Sequence, residues 1–331
     1  MGNKLDNFLS SCSEMEFGAV NLSDLEKDFY RKFNSEIVSL CDSLPESVQT
    51  DALLFFMKHS GLSIGQELDF FKNFYVPSWS VIYWLIQYLP NSKELFQGEI
   101  KNAVTAHSMA MNLHSLDDHI NDGEIPASHL TLLLRSQLWM TMINSLKNLS
   151  VGLDKGEGIV RNFIDDYYSG ILGSNDINTL EHYCDLFKKQ MATWLIVPVL
   201  MTKMINNDEE FTGAVQAAYE SFGIAWRLLD DINDIQIDMK NGAHSSIYVC
   251  LPEKIKKLWD KNEKTESNNK NTYPDIILDY ILDISLIARI KKKIIKELQS
   301  AASISENFNL DGLAGEFRCL LEPHRDWQNF I

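Results

Sequence analysis

Three aspartates repeat at four-residue intervals in the stretch RLLDDINDIQIDMK, which covers residues 227–240. On a helix that turns by about 100° per residue, Asp230, Asp234 and Asp238 form a row along one face. Like charges at this spacing destabilise a helix by a few tenths of a kcal/mol per pair, so a cation is expected against the row. Mg²⁺ fits best, because it is commonly held by a few carboxylates together with waters and phosphate oxygens.

A second acidic cluster ends another apolar segment, LHSLDDHINDGEIP, at residues 113–126. Asp118 and Asp122 are four residues apart, as are Asp117 and Asn121, so both pairs project from one side of a helix. A single cluster of this kind is most often a solvated helix end. Two of them in one chain, each after an apolar helix, favour a shared site.

Composition restricts the class of protein. The 331 residues are 45% hydrophobic, which is enough for one large core, and the formal net charge of −16 would repel a nucleic-acid backbone. The five cysteines are scattered without metal-ligand spacing, and no targeting segment is visible, so a cytoplasmic location is expected. The most apolar run, at residues 194–201, is far shorter than the roughly 20 residues of a membrane span.

Helical periodicity runs along most of the chain, and no Gly-rich phosphate loop or alternating strand series interrupts it. The pattern predicts one helix over 179–205, kinked at Pro198, and another over 209–240. The segment 254–273 is charged and rich in asparagine, which predicts a mobile loop.

The segments AHSMAMNLHSLDDHIND and FGIAWRLLDDINDIQID resemble the two aspartate-rich motifs of class I isoprenoid enzymes. This superfamily comprises trans-prenyl diphosphate synthases and class I terpene synthases. The resemblance implies an all-α, single-domain helical bundle over residues 1–331, with a core over about 22–300 and a central apolar pocket. It also implies an allylic prenyl diphosphate as substrate, with three Mg²⁺ ions, replaceable by Mn²⁺, that bind its diphosphate. Dimers are common in the superfamily, so a second copy of the chain is a candidate partner.

The implied chemistry explains why these residue types are needed. Ionising an allylic C–O bond leaves negative charge on diphosphate, which a cation cluster stabilises. The remaining carbocation needs a water-poor wall of aromatic rings, whose faces attract cations. The candidate aromatic residues are Phe74, Trp79, Trp84, Trp139, Trp194 and Trp226.

Roles carry over by position from the family motifs. The first motif would supply the metal ligands Asp117, Asp118 and Asp122, and the second would supply Asp230, Asp231, Asp234 and Asp238. The catalytic candidates are Asp117, Asp118 and Asp230, and the diphosphate-binding candidates are Arg227, Lys240 and Lys189. The second motif fits the prenyl synthase pattern and also has the first, fifth and ninth positions of the terpene synthase pattern, so spacing leaves both readings open.

The chain departs from the prenyl synthase pattern where the second substrate, isopentenyl diphosphate, would bind. FKNFYVP places Asn73 and Phe74 where that family has lysine and arginine, and no arginine pair follows Asp122. A second diphosphate therefore lacks its charge-assisted partners. We expect a terpene synthase that cyclises or quenches the cation. The alternatives are a prenyltransferase acting on isopentenyl diphosphate or an unusual lipid acceptor, and a non-catalytic subunit that regulates a synthase.

Overall fold

The computed structural model describes residues 2–88, 97–172, 177–262 and 273–323. All the regular structure of these residues is helical. No strand occurs in these ranges, as the helical periodicity predicts. The helices are α1 Gly2–Ser13, α2 Asp24–Asp42, α3 Glu46–His59, α4 Pro77–Gln87, α5 Gln97–Asn121, α6 His129–Ser150, α7 Gly156–Leu172, α8 Leu180–Gln190, α9 Ala192–Ile205, α10 Glu209–Asn233, α11 Ile235–Asn241, α12 Ser246–Val249, α13 Glu253–Asn262, α14 Tyr273–Asp283, α15 Leu286–Asn307 and α16 Asp311–Leu321.

The centre of the bundle is formed by helices that are apolar on nearly every side. Almost every residue of α9 is buried, and so is the middle of α5, from Ala103 to Leu113. A helix that is apolar all round must be surrounded by other helices. Accordingly, α9 packs against α4, α5, α7 and α10, and α10 also packs along α15. This arrangement places the acidic ends of α5 and α10 close to the protein core.

The segment 179–205 forms two helices, which corrects the prediction of one helix kinked at Pro198. Pro198 lies inside α9, and the chain turns at Met191 instead. Met191 is fully buried beside Gly223 of α10, where an added Cβ would lie 2.4 Å from the Met191 sulfur. The missing side chain of Gly223 therefore makes room for the sulfur and terminal methyl group of Met191.

The segment 209–240 is also divided, because α10 ends at Asn233 and α11 begins at Ile235. Asp234 lies between the two helices with φ −95° and ψ 9°, outside ordinary helical geometry. Its backbone N–H still bonds to the Asp230 carbonyl, at 2.9 Å. The row of three aspartates therefore bends at its middle member.

The prediction of a mobile loop over 254–273 is wrong for the first part of that segment, because residues 253–262 form α13. Ile255 and Trp259 are four residues apart on this helix and both are buried, Trp259 completely. This pair anchors the helix to the core despite the charged composition. The remainder of the predicted loop, 263–272, lies outside the described residues. Among the described helices, none is long and apolar enough to cross a membrane.

Candidate active site

A cavity of about 500 Å³ lies between the ends of α3 and α5 on one side and α10 and α11 on the other. The segment between α3 and α4 contributes Phe70, Asn73 and Phe74 to its wall, and α8 contributes Phe187. The cavity thus collects residues that are far apart in the sequence. It is the place where the two acidic clusters meet.

Apart from Asp231, five of the predicted metal ligands line this cavity, and they come from both clusters. Asp118 and Asp122 belong to the first cluster, whereas Asp230, Asp234 and Asp238 belong to the second. In the described ranges, no group of three or more His, Cys, Asp or Glu side chains is arranged to hold a metal ion by itself.

The carboxylates at the cavity are poorly compensated by positive charge. Burial is the main cause that raises the pKa of Asp230 to about 7, and the charges of Asp234, Asp231 and Asp118 add to it, whereas Arg227 lowers it. Burial also raises the pKa of Asp238 to about 7 and raises the pKa values of Asp122 and Asp234. A bound cation would favour the ionised form of every one of these groups.

Arg227 is the one arginine or lysine among the described residues that line the cavity. Its Nε donates to the Tyr183 hydroxyl at 3.0 Å and lies 3.1 Å from an Asp231 carboxylate oxygen. Its other side reaches towards Asp230, at 3.6 Å. Arg227 is therefore held beside the second acidic cluster.

Asp231 has a different environment from the other acids of its motif, although part of it reaches the cavity wall. The residue is only 2% exposed. One carboxylate oxygen accepts from the Tyr183 hydroxyl at 3.0 Å, and the other accepts from the Ser246 backbone N–H at 2.9 Å. Asp231 therefore orients Arg227 and joins α10 to α12. Its predicted role as a metal ligand fits this arrangement poorly, because both oxygens already have donors.

Asp117 lies outside the cavity wall, about 100° around α5 from Asp118. Arg135 of α6 binds both of its carboxylate oxygens, at 2.5 and 2.9 Å, and the Tyr167 hydroxyl donates to one of them at 2.6 Å. This bidentate pair connects α5 to α6 and α7. The structure therefore directs Asp117 into the bundle, which does not fit its predicted roles in catalysis and metal binding.

Two of the three predicted diphosphate contacts also lie away from the cavity. Lys189 and Lys240 are exposed and are not part of its wall. Lys189 lies at the end of α8, against Gly170 of α7, where an added Cβ would be 3.0 Å from the lysine Cβ. Among the predicted diphosphate contacts, Arg227 is the one that the fold brings to the acids.

An aromatic group forms part of the cavity wall. Phe74 and Trp226 line it, and Trp194 stacks on Trp226 at 5.1 Å between ring centroids. Phe74 meets both tryptophans edge-on, at 6.1 and 5.7 Å. The other candidate aromatics lie elsewhere: Trp79 packs against Phe29 and Tyr30, Trp84 donates to Glu316, and Trp139 packs against Tyr167 and Tyr168.

Sequence reasoning missed the histidine and serine side chains at the end of α3 and on α5 that also line the cavity. His59 and His119 line the cavity together with Ser115, and their rings are 4.8 Å apart between centroids. Sixty positions separate the two histidines in the sequence. No local spacing indicates such a pair, because it exists only where the end of α3 meets α5.

The helical bundle is similar in fold to solved structures of prenyl diphosphate synthases. A geranylgeranyl pyrophosphate synthase from Lactobacillus brevis matches with a TM-score of 0.67 at 14% identity, over 90% of this chain and 99% of that chain. A heptaprenyl diphosphate synthase from Staphylococcus aureus matches with a TM-score of 0.65 at 12% identity, over 90% and 98%.

A third match is a geranylgeranyl pyrophosphate synthase from Corynebacterium glutamicum, whose structure contains isoprenyl diphosphate and magnesium. Its TM-score is 0.60 at 12% identity, over 89% of this chain and 99% of that chain. No protein-family model and no curated protein sequence matches the chain. At these identities the likeness shows the fold, and the reaction must be inferred from the residues of the cavity.

Proposed function

We propose that this chain is a Mg²⁺-dependent prenyltransferase that ionises an allylic prenyl diphosphate and transfers the prenyl group to an acceptor. The observation that carries the proposal is the meeting of Asp118 and Asp122 with Asp230, Asp234 and Asp238 at one cavity that aromatic residues also line. Acids at the mouth suit a metal-bound diphosphate, and aromatic rings suit a carbocation.

The acids at the mouth fit Mg²⁺ chemically. They offer only oxygen ligands, and burial raises the pKa values of Asp230 and Asp238, so a bound cation would favour the ionised form of both. Because no three acidic side chains form a closed site, diphosphate oxygens and waters would complete the coordination. When bound, Mg²⁺ supplies the positive charge that stabilises the departing diphosphate.

The remaining residues of the cavity have distinct roles in this proposal. Arg227 donates charge-assisted hydrogen bonds to the diphosphate, and Asp231 and Tyr183 hold it in position. Phe74 and Trp226 exclude water and face the carbocation. Ionisation therefore takes place between a polar mouth and an apolar interior.

Transfer to an acceptor is preferred to cyclisation because the matched structures are prenyl diphosphate synthases. A class I terpene synthase is the second candidate. It is favoured by Asn73 and Phe74, which line the cavity where the prenyl synthase pattern has lysine and arginine. A non-catalytic subunit is the least consistent candidate, since it would not need acids from both motifs at one cavity.

The direct test is diphosphate release from geranyl, farnesyl and geranylgeranyl diphosphates with Mg²⁺, with and without isopentenyl diphosphate, followed by mass spectrometry of the products. A prenylated acceptor supports the proposal. A hydrocarbon or alcohol formed equally well without any acceptor would instead identify a terpene synthase. Absence of release from all three substrates would reject both enzyme classes.

A further inference from the structure

A second ring lies behind the part of the cavity wall that Trp226 forms. Tyr75 meets Trp226 edge-on, with 6.3 Å between the ring centroids and an angle of 88° between the rings. Trp226 lines the cavity, whereas Tyr75 is not among the described residues that line it. The preceding residue, Phe74, does line the cavity and also contacts Trp226. Tyr75 therefore supports the wall from outside the cavity.

The N-terminal strap, which we define as residues 14–18 after α1, covers Tyr75. Its buried residues Met15 and Phe17 alternate with two exposed glutamates, as expected of an extended chain with one face against the core. The Phe17 ring packs on the Tyr75 ring, with 4.7 Å between centroids and an angle of 60°. The Phe17 backbone N–H donates to the Tyr75 hydroxyl. Phe17 thus contacts Tyr75 with both its ring and its backbone.

The charges around Tyr75 also place it between the strap and the acidic cavity. Burial raises the pKa of its hydroxyl, the hydrogen bond from Phe17 lowers it, and the charges of Glu16 and Asp230 raise it. Glu16 belongs to the strap and Asp230 to the second acidic cluster, so the Tyr75 hydroxyl is close to both.

Both ends of the strap are attached to the helical bundle. On one side, α1 packs against α10 and α11. On the other side, the Gly18 N–H donates to the Leu320 carbonyl at 3.1 Å. A Cβ added at Gly18 would collide with the Cys319 carbonyl oxygen, so glycine allows this close approach. These contacts fix the position of Phe17 between them.

We propose that Phe17 is a positioning residue for the reaction: through Tyr75 it holds the Trp226 ring in the cavity wall and so keeps water from the carbocation. This inference rests on the proposed function and adds a residue that does not itself line the cavity. Trp194 and Phe222 stack on Trp226 at 5.1 and 6.4 Å, whereas Tyr75 meets it edge-on. Loss of the Phe17 ring therefore loosens one contact of Trp226 and leaves the rest of the wall in place.

Water exclusion decides what becomes of the ionised substrate when no acceptor is present. The C–O bond to diphosphate breaks, and its electron pair leaves with the diphosphate. In a dry cavity, a diphosphate oxygen re-forms the bond and restores the substrate. If water enters, its oxygen bonds to the allylic carbon and a proton passes to solvent, which gives the prenyl alcohol and free diphosphate. The ratio of return to alcohol formation therefore measures how well the wall excludes water.

Farnesyl diphosphate labelled with ¹⁸O at the oxygen between the farnesyl carbon and phosphorus reports this ratio. Return after ionisation moves the label into non-bridging oxygens of the same phosphate group, and ³¹P NMR of recovered substrate measures this exchange. Extraction and mass spectrometry measure farnesol. The full chain is incubated with the labelled substrate and Mg²⁺ without any acceptor.

The variant is Phe17→Leu, which keeps an apolar side chain but removes the ring. The ratio of label exchange to farnesol should fall by about 2- to 10-fold, the factor that corresponds to one aromatic pair. The apparent Kd of inorganic diphosphate with Mg²⁺ should stay within about twofold of wild type, because the acidic clusters are untouched.

Phe211→Leu is the matched control. Phe211 is buried to a similar extent and stacks on Tyr88, but it lies near the start of α10, about 22 Å along the helix from Trp226. Its substitution should lower the Tm and leave the ratio of exchange to farnesol unchanged.

Three results would overturn the inference. One is a Phe17→Leu variant with the wild-type ratio. Another is an equal fall of the ratio in Phe17→Leu and Phe211→Leu, which would show a general loosening of the fold. The third is a wild type that forms farnesol without label exchange, because its wall would not exclude water. Failure of the prenyltransferase proposal has a different signature: the wild type would show neither exchange nor diphosphate release, or would form a hydrocarbon.

Discussion

Asp117 and Asp118 are neighbours in the sequence but have opposite surroundings. Asp117 is buried and paired with Arg135 and Tyr167, whereas Asp118 faces the cavity. One residue of rotation on a helix, about 100°, is enough to separate the two side chains. We therefore assign Asp117 to stability and Asp118 to the proposed metal site, and this assignment leads to the first prediction.

Asp117→Asn should lower the free energy of unfolding by about 3 kcal/mol, because removing one partner of a buried ion pair leaves the other uncompensated. Asp118→Asn should leave the metal-free stability nearly unchanged and reduce diphosphate release by at least about 100-fold. Urea unfolding and a diphosphate-release assay measure the two effects. Equal destabilisation by both substitutions would refute the assignment.

The raised pKa values of Asp230 and Asp238 lead to a second prediction, which concerns the pH dependence of stability. Their pKa values rise from the ordinary 3.8 to about 7 on folding, so the folded metal-free protein binds these protons more tightly than the unfolded chain. Their contribution to stability is therefore fully present below about pH 4 and is lost as the pH rises to about 7. In the double variant Asp230→Asn with Asp238→Asn, the free energy of unfolding should decrease less between pH 4 and pH 7 than it does in the wild type.

Chemical denaturation in EDTA between pH 4 and 8 measures this decline. With Mg²⁺ present, the free energy of unfolding of the wild type should instead increase with pH, because the ligands must lose their protons to bind the ion. A wild type and double variant with the same pH dependence in EDTA would show that the two carboxyl groups titrate normally.

At the scale of helices, the site depends on two interruptions that divide longer helical patterns. The turn at Met191 separates α8 from α9, and Asp234 separates α10 from α11. Gly223 is on the buried side of α10, one turn before Arg227, and it accommodates Met191. The position of Arg227 over the cavity thus depends on a close approach between α10 and the α8–α9 turn.

Two glycines of α10 provide a matched test of this close approach. Gly223→Ala should lower the free energy of unfolding by about 1–2 kcal/mol, because the new methyl group collides with the buried Met191 side chain. Gly213→Ala should raise it by about 0.5–1 kcal/mol, since no atom lies within 4 Å and alanine favours a helix. Thermal unfolding of both variants checks the difference in sign; a stabilised Gly223→Ala would contradict the packing described here.

At the scale of the whole molecule, the cavity is the place where negative charge concentrates in a chain that already carries a formal net charge of −16. Neither Mg²⁺ nor diphosphate alone is well matched to it. The ion lacks a closed set of protein ligands, and the anion faces carboxylates with only Arg227 as a cationic partner among the described wall residues. The two should therefore bind together.

Mg²⁺ and inorganic diphosphate should stabilise the protein jointly and only weakly when added separately. At a hundredfold excess over Kd, binding to the folded state contributes about 2.7 kcal/mol, which corresponds to an increase in Tm of at least about 3 °C. Differential scanning fluorimetry with each component, with both, and with both plus EDTA measures the effect. An increase of the same size with diphosphate alone would argue against a metal-mediated site.

The sequence by itself determined the helical class and the location of both acidic clusters, because periodicity and four-residue spacing are local properties that a helix converts directly into a face. It also identified Arg227 as a candidate diphosphate contact. It placed Asn73 and Phe74 where the prenyl synthase pattern has lysine and arginine. Tertiary structure alone decided that Asp117 pairs with Arg135, that Asp231 orients Arg227, and that His59 meets His119. These contacts depend on how the helices pack against one another, and the rotation of a helix about its own axis is set by the whole core.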